Sequence, residues 1–431
     1  ISPDGSTVAY VSDNQLWLRR LDELESRAAS DSTFESAVIW SPDSQWVAYP
    51  AGRTLWKISA TGGESRAVAE LPTNVGPFGG GWTEDGRVVI HYWEKWTGFE
   101  GEAMQAVVDD YNASQDRVFV RMLSVSEINN KLLLATAGGN PPDVSGLWSS
   151  DVSVYSEKGA LIPLDVPLEE AGIGPEDYLP SMWYHCTHRG FVWALPSTPA
   201  STALHWNKRL FREAGLDPDR PPRSLAELDE MTERLTVVEI KRDGKTMKLR
   251  YPDLTFEEKE AGDFRILQIG HLPSEPGWWT PMWGYWFGAD LLEGDDTITA
   301  DTPGNLEAIR WHGSYTEKYG LDNVRGFGDS FGNFASPQNA FLAEQVAMVH
   351  QGVWMYNFID KYAPHLEWAA APFPSANPEK WPHVTIAECD VLVIPKGSPH
   401  PLSLIHISEP TRLVHSSRMP SSACKGGGGG G

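Results

Sequence analysis

The sequence repeats itself near its start, and a repeat restricts what its segment can fold into more sharply than any composition does. Ser2-Pro3-Asp4-Gly5-Ser6-Thr7-Val8-Ala9-Tyr10 returns as Ser41-Pro42-Asp43-Ser44-Gln45-Trp46-Val47-Ala48-Tyr49, an offset of 39 residues, and Leu16-Trp17 returns at the same offset as Leu55-Trp56. A weaker third copy begins at Trp82-Thr83-Glu84-Asp85-Gly86. Each copy predicts a Pro-Asp-Gly type turn, a short alternating strand, a second turn and a strand carrying Leu-Trp, which is the plan of a four-stranded propeller blade. A ring needs roughly four to eight blades. Residues 1–89 are therefore expected to form an all-β incomplete propeller that touches the rest of the chain over a small area, so that its removal leaves ligand binding intact.

The S-P-D-G-x-x-[VI]-A-Y phrase resembles the propeller repeats of the Tol-system periplasmic protein and of bacterial sensor proteins. At the other end, Leu402-Ser403-Leu404-Ile405-His406-Ile407-Ser408-Glu409-Pro410-Thr411-Arg412, followed by a terminal Gly run, resembles the in-frame translation of a sequencing adapter. Residues 402–431 are expected to be disordered and to pack against nothing, since polyglycine has no side chain to offset its ordering entropy.

Between these ends, from about Val88 to Pro401, strand and helix patterns alternate, which predicts an α/β architecture. Val88–Trp93 reads as a strand and Gly98–Asn112 as a helix with Met104, Val107, Val108 and Tyr111 on one face. A strand over Val118–Leu123 and a helix over Val125–Ala137 follow, closed by Gly138-Gly139. Asn140-Pro141-Pro142-Asp143 then forces an extended entry into a third strand. In such a βαβαβ unit, ligands bind beyond the strand carboxyl ends.

Charge and composition narrow the partner. The chain carries 35 Lys and Arg against 58 Asp and Glu, a net charge of −23, the wrong sign for nucleic acid or an anionic membrane. Three cysteines, Cys186, Cys389 and Cys424, build neither a disulfide framework nor a zinc knuckle. Tyr184-His185-Cys186-Thr187-His188 has no standard zinc spacing, and Gly79-Gly80-Gly81 lacks the Lys-Ser/Thr of a phosphate loop, so no metal or cofactor is expected. What stands out is 19 Trp and 13 Tyr. A pyranose offers a C–H face to a flat ring and hydroxyls to carboxylates, amides and other hydroxyls.

On that chemistry the candidate ligand-binding residues are Glu94, Trp96, Trp148, Ser149, Asp151, Thr198, Ser201, Trp279, Trp283, Gly352, Trp354 and Tyr356. The stretch Trp278-Trp279-x-x-x-Trp283-x-Tyr285-Trp286 is read as loop and short helix, with Trp283 turned to ligand, whereas Trp193, Trp206, Trp311 and Trp368 are expected in the core. Glu388 and Asp390 are expected to hydrogen-bond within a chain crossing, and Asp243-Gly244 marks a hairpin.

Trp93-Glu94-Lys95-Trp96-Thr97-Gly98, Ala135-x-x-Gly138-Gly139-x-Pro141-Pro142-Asp143 and Lys158-Gly159-Ala160-Leu161-x-Pro163-Leu164 resemble the family 1 extracellular solute-binding proteins of carbohydrate ABC importers. So do Ala194-Leu195-Pro196, Leu204-His205-Trp206-Asn207-Lys208, Glu213-Ala214-Gly215-Leu216-Asp217, Phe341, Ala347-Met348, Gly352-x-Trp354 and Ala371-Pro372-x-Pro374, in family order. The resemblance implies a two-lobed periplasmic-binding-protein clamp of type II, closing on a hinge over an oligosaccharide or related polyol. Lobe 1 would comprise residues 90–198 with a return segment 389–401, and lobe 2 residues 199–388. It further implies a monomeric, non-enzymatic carrier in the periplasm or outside the cell, with or without a lipid anchor, whose partner is the permease of an ABC transporter. The chain opens at Ile1 without a signal peptide and departs from the family pattern after Lys396-Gly397, so the clamp is expected to be C-terminally truncated. The alternative from another class is a glycoside hydrolase, with Glu94 and Asp151 imagined as its paired acids.

Overall fold

The computed structural model describes residues 2–12, 15–23, 25–29, 38–41, 43–51, 54–70, 81–82, 87–293, 297–332 and 334–398. The expected adapter-like tail, the turn of the third repeat copy and Gly79-Gly80 lie outside the described residues. The chain divides into two compact units, residues 1–199 with 388–431, and residues 200–387.

The first unit opens with two antiparallel sheets. One has the order β1 (Thr7–Ser12), β2 (Gln15–Arg20), β3 (Arg27–Ala28), the other β4 (Ile39–Trp40), β5 (Trp46–Ala51), β6 (Thr54–Ser59), β7 (Arg66–Glu70). The repeat is chemical as well as textual. Asp4 Oδ1 accepts from Ser2 Oγ and from Ser6 N, and Asp43 Oδ1 accepts from Ser41 Oγ and Gln45 N in the same way. Each serine hydroxyl also accepts the first strand amide, Thr7 N at 2.9 Å and Trp46 N at 2.8 Å. Gly5 sits at φ +73° and Ser44 at φ +61°, so the second copy holds a left-handed turn with a residue that has a Cβ.

Alternation along β5 and β6 sends neighbouring side chains to two different cores. Val47, Tyr49 and Ile58 pack with Leu16 and Leu18. Ile39, Ala48, Leu55 and Val68 pack instead with Val88, Ile90, Tyr92, Val118, Val120, Leu195 and Leu392. This corrects the expectation of a loosely touching module: the four-stranded sheet buries one face in the core of the α/β part, because neither of its faces is polar.

That α/β part is β9 (Val88–Glu94), helix Gly98–Ser114, β10 (Val118–Ser124), helix Ile128–Ala137 and β11 (Val144–Trp148), with β10 and β11 parallel to β9 on either side. Strand β8 (Gly81–Trp82) pairs antiparallel with the start of β9. The second helix begins three residues later than its sequence pattern because Glu127 takes φ +54°, a left-handed step that a helix cannot include. Asn112 bonds Val120 through both its amide groups at 2.8 Å, tying the first helix to β10. Asp143, from the Pro-Pro-Asp motif, accepts His91 N at 2.7 Å and so sets β11 beside β9. A short hairpin, β12 (Thr187–His188) and β13 (Phe191–Val192), completes the unit's first pass.

Strand β14 (Leu195–Asn207) carries the chain into the second unit. There Asn207 caps helix Lys208–Glu213, and Ser224 caps helix Leu225–Leu235, which buries Leu225, Leu228, Met231, Thr232 and Leu235 at three-to-four-residue spacing. Strands β15 (Val237–Arg242) and β16 (Lys245–Arg250) make the anticipated hairpin, with Asp243 at φ +51° and Gly244 at φ +76°, and β17 (Phe264–Gln268) pairs with β15. A two-stranded ribbon, β18 (Leu292–Glu293) with β19 (Thr297–Ile298), precedes helix Pro303–Tyr319. Strands β20 (Met348–Gly352) and β21 (Trp368–Ala371) both pair antiparallel with β14. Strand β22 (Ala387–Val393) brings the chain back to the first unit, where it pairs antiparallel with β11. Among the described residues no helix is long and apolar enough to cross a membrane.

The shared core makes a prediction. Leu55→Ala should destabilise the first unit by about 2–5 kcal/mol, read as a lower denaturant midpoint; an unchanged midpoint would show that the N-terminal sheets contribute nothing to that core.

Candidate functional site

In the first unit the candidate residues gather at the carboxyl ends of β9 and β11. Glu94 closes β9 and is only 1% exposed. Its Oε1 accepts Lys95 N at 2.7 Å and Trp96 N at 3.1 Å, while Oε2 accepts the Tyr92 hydroxyl. Gly146 of β11 lies against it so closely that a Cβ there would meet Oε2 at 2.6 Å. Glu94, expected to accept ligand hydroxyls, is instead buried with three donors from its own chain on its two oxygens, which fix the strand end.

Lys95 carries no role in the candidate set, yet it is the centre of the arrangement. Its ammonium is buried, 3.0 Å from Asp390 Oδ1 and 3.5 Å from Glu94 Oε1, and it lies 4.4 Å from the ring centre of Trp96 and 5.7 Å from that of Trp148. Asp390 also accepts the Thr198 hydroxyl at 2.8 Å, so Thr198 and Asp390 hydrogen-bond each other beside the two crossing points of the chain. Burial raises the Asp390 carboxyl above its ordinary range, against the pull of Lys95 and Thr198. Nearby Glu100 is pushed up to about 7 by burial and by the negative charges of Asp390 and Glu94.

What stays open here is aromatic. Trp148 ends β11 with 39% of its surface exposed, and Trp96 is half-buried. Ser149 is buried, and half-buried Asp151 accepts Asn129 Nδ2 at 3.2 Å, its carboxyl raised by burial.

In the second unit the aromatic stretch forms a 3-10 run, Thr280–Phe287. Trp283 is 2% exposed and packs with Trp286, Trp311, Phe373 and His350, so it is a core residue rather than an open platform. Trp279 is buried too, its indole N–H donating to His350 O at 2.9 Å. It nevertheless stacks on half-buried Trp354 at 6.4 Å between ring centres, and Trp354 donates to Gln351 Oε1 at 3.0 Å. Gly352 lies under that ring: a Cβ would meet Trp354 at 2.2 Å, which is why glycine precedes it.

An open ring beside this platform is Trp278, 48% exposed and 6.4 Å from Trp354; Tyr356, 63% exposed, meets Trp368 edge to face at 6.4 Å. Ser201 is exposed, and its carbonyl accepts Val353 N. Of the tryptophans expected in the core, Trp206 is buried, while Trp193, Trp311 and Trp368 are half-buried. Sequence reasoning missed Lys95 and Trp278 as site residues; the signal for Lys95 was its place between Glu94 and Trp96 at a strand end. Among the described residues no three His, Cys, Asp or Glu side chains gather as metal ligands, and His188 is instead paired with Glu157.

Two α/β units joined by two chain crossings, each with open ring faces, are the make-up of a solute-binding protein. The chain belongs to the bacterial extracellular solute-binding protein family, whose model matches residues 106–403. Being a family of binding proteins, it decides against the glycosidase alternative. Among curated relatives, the sn-glycerol-3-phosphate-binding periplasmic protein UgpB of Brucella abortus (strain 2308) is 26% identical over 153 residues, 34% of this chain. The chain spans about a third of the length of the curated relatives it matches (35% of that protein). Among solved structures, CpMnBP1 with mannobiose bound is 27% identical, with a TM-score of 0.63 over 76% of this chain and 80% of that one. The GacH receptor of Streptomyces glaucescens GLA.O, 21% identical with a TM-score of 0.56 over 78% of this chain and 82% of that one, shares the fold.

Glu100 gives a prediction on stability. With its carboxyl held near 7 in the folded chain and an ordinary value of 4.5, the folded state binds more protons than the unfolded one between those values. Stability from this group is greatest below about pH 4.5 and falls as pH rises toward 7. Glu100→Gln should therefore raise the melting temperature at pH 8 relative to the parent while leaving the difference small at pH 4.5; an equal effect at both pH values would contradict the assignment.

Proposed function

We propose that this chain captures an uncharged oligosaccharide or related polyol outside the cytoplasm and hands it to the permease of an ABC transporter, the two units closing on their crossings over the sugar. The observation that carries this reading is the distribution of open ring faces: Trp148 beside Trp96 in the first unit, Trp278, Trp354 and Tyr356 in the second. Flat faces beside carboxyls suit C–H patches rimmed by hydroxyls. The mannobiose bound to CpMnBP1 supports the same ligand class.

A phosphorylated ligand fits less well. The cation of the first unit's site, Lys95, is already held between Glu94 and Asp390. A phosphate would arrive among carboxylates with no free cation from this group to meet it. The ligand named for the UgpB relatives is thus the second reading to test, favoured by sequence similarity.

Closure over the ligand gains energy only from contacts that exist in the closed state, so platforms from both units are needed; Trp148 and Trp354 are the pair assigned to it. Ser149, Asp151, Thr198 and Ser201 supply polar rim. The carrier works as a monomer, without metal or cofactor, in the periplasm or on the outer face of the cell, with or without a lipid anchor. Within the same reading, residues 1–89 are an incomplete propeller stretch, supported by the matching turn chemistry of two copies. Residues 402–431 lie outside the binding protein, supported by their adapter-like sequence.

Titration of intrinsic Trp fluorescence with mannobiose and with sn-glycerol 3-phosphate tests the reading. Mannobiose should bind, glycerol phosphate should bind at least tenfold more weakly, and Trp354→Ala should cost on the order of 2 kcal/mol, roughly thirtyfold in affinity for the sugar. Tighter binding of the phosphate, or an unaffected Trp354→Ala variant, would overturn it.

A further inference from the structure

Beside the Trp354 platform, the second unit contains a pocket of about 270 Å³ lined by Glu275, Pro276, Trp278, Phe331, Phe334 and Asn339. This is just below the range of roughly 300–1,000 Å³ in which drug-sized ligands sit, so it has room for one ring and its substituents rather than for a long chain. Its walls are aromatic and braced. Trp278 and Phe334 meet edge to face at 4.7 Å, Phe334 is backed by Phe358 at 5.1 Å, and Phe331 by Phe327 at 4.9 Å. Trp278 nonetheless leaves half its surface open.

The polar side chains of the pocket divide cleanly. Asn339 holds the surrounding loop: its Oδ1 accepts Phe341 N and Leu342 N, and its Nδ2 donates to Phe334 O. The Glu275 carboxyl, half-buried, has no hydrogen-bond partner among the described residues. Burial raises it to about 7, so near neutral pH it is protonated in a large fraction of molecules and can both donate to and accept from a hydroxyl. A lone carboxyl at the edge of an aromatic corner has no packing role here; it is suited to an uncharged, hydroxylated ring.

We propose that this pocket is a second sugar subsite, in which a pyranose unit lies against Trp278 and Phe334 with a hydroxyl on Glu275 while the adjoining unit rests on Trp354. The inference rests on the saccharide reading above and deepens it: the ligand is an oligosaccharide whose length, and not only its ring chemistry, is recognised. The 6.4 Å between the ring centres of Trp278 and Trp354 makes the two platforms neighbours, so successive units of one chain can use both.

Calorimetric titration with mannose, mannobiose and mannotriose separates the possibilities, the readout being the gain in affinity with each added unit. The parent should tighten at least tenfold from mannose to mannotriose. Trp278→Ala and Glu275→Leu should each remove most of that gain, and Glu275→Gln, which keeps hydrogen bonding, should retain it. If the parent binds all three sugars equally, or if both disruptive variants keep the full gain, the subsite is wrong while the saccharide reading stands. If the parent binds none of the three, the saccharide reading itself falls, and the subsite with it.

Discussion

A buried ammonium organises the first unit. Removing a charge of this kind from water costs several kcal/mol after relaxation, and Lys95 meets that cost with two carboxylates, from Glu94 and Asp390, and the faces of two tryptophans. The partners come from three stretches of chain: Glu94 and Trp96 from the end of β9, Asp390 from the returning strand β22, Trp148 from the end of β11. Thr198, just before the first crossing, joins through Asp390. Gly146 is part of the same device, because any side chain at that position would occupy the place of the Glu94 carboxylate. The consequence for function is a division of labour. Charges and their hydrogen bonds are consumed in fixing the strand ends, and the surface left open beside them is made of rings and the rims around them.

The second unit reaches a similar outcome by ring packing and indole hydrogen bonds. Trp279, Trp283 and Trp286 fall at i, i+4 and i+7, and all three are buried. Trp278, one residue off that face, is open. This spacing is present in the sequence and separates core from platform, a distinction that the Gly and Pro content of the stretch does not carry. Trp354 stands between the two groups, anchored on buried Trp279 and exposed on its other side, with Gly352 giving it room.

The local structure was the more legible part. Turn chemistry in the Ser-Pro-Asp repeat, the βαβαβ order and the Asp243-Gly244 hairpin depend on short-range pattern and formed where that pattern lies, apart from the late start of the second helix at Ile128. The packing of the N-terminal sheets was not legible, since alternation in β5 and β6 shows that both faces are apolar but not which core each face joins. Nor was the fate of Glu94, whose partners Tyr92 and Gly146 are ordinary strand residues until the register of β9 and β11 brings them together. Glu275 and Phe334, some 60 positions apart in the sequence, meet at one pocket only through the fold.

The central proposal is that an uncharged saccharide is held on the open aromatic faces. A crystal structure of the chain with mannotriose tests it most directly. The account predicts continuous density for the sugar with one ring against Trp148 and others against Trp354 and Trp278, and Lys95 still bonded to Asp390 rather than to the ligand. Sugar density on the rings of one unit alone, or a ligand hydroxyl replacing Asp390 on Lys95, would contradict it.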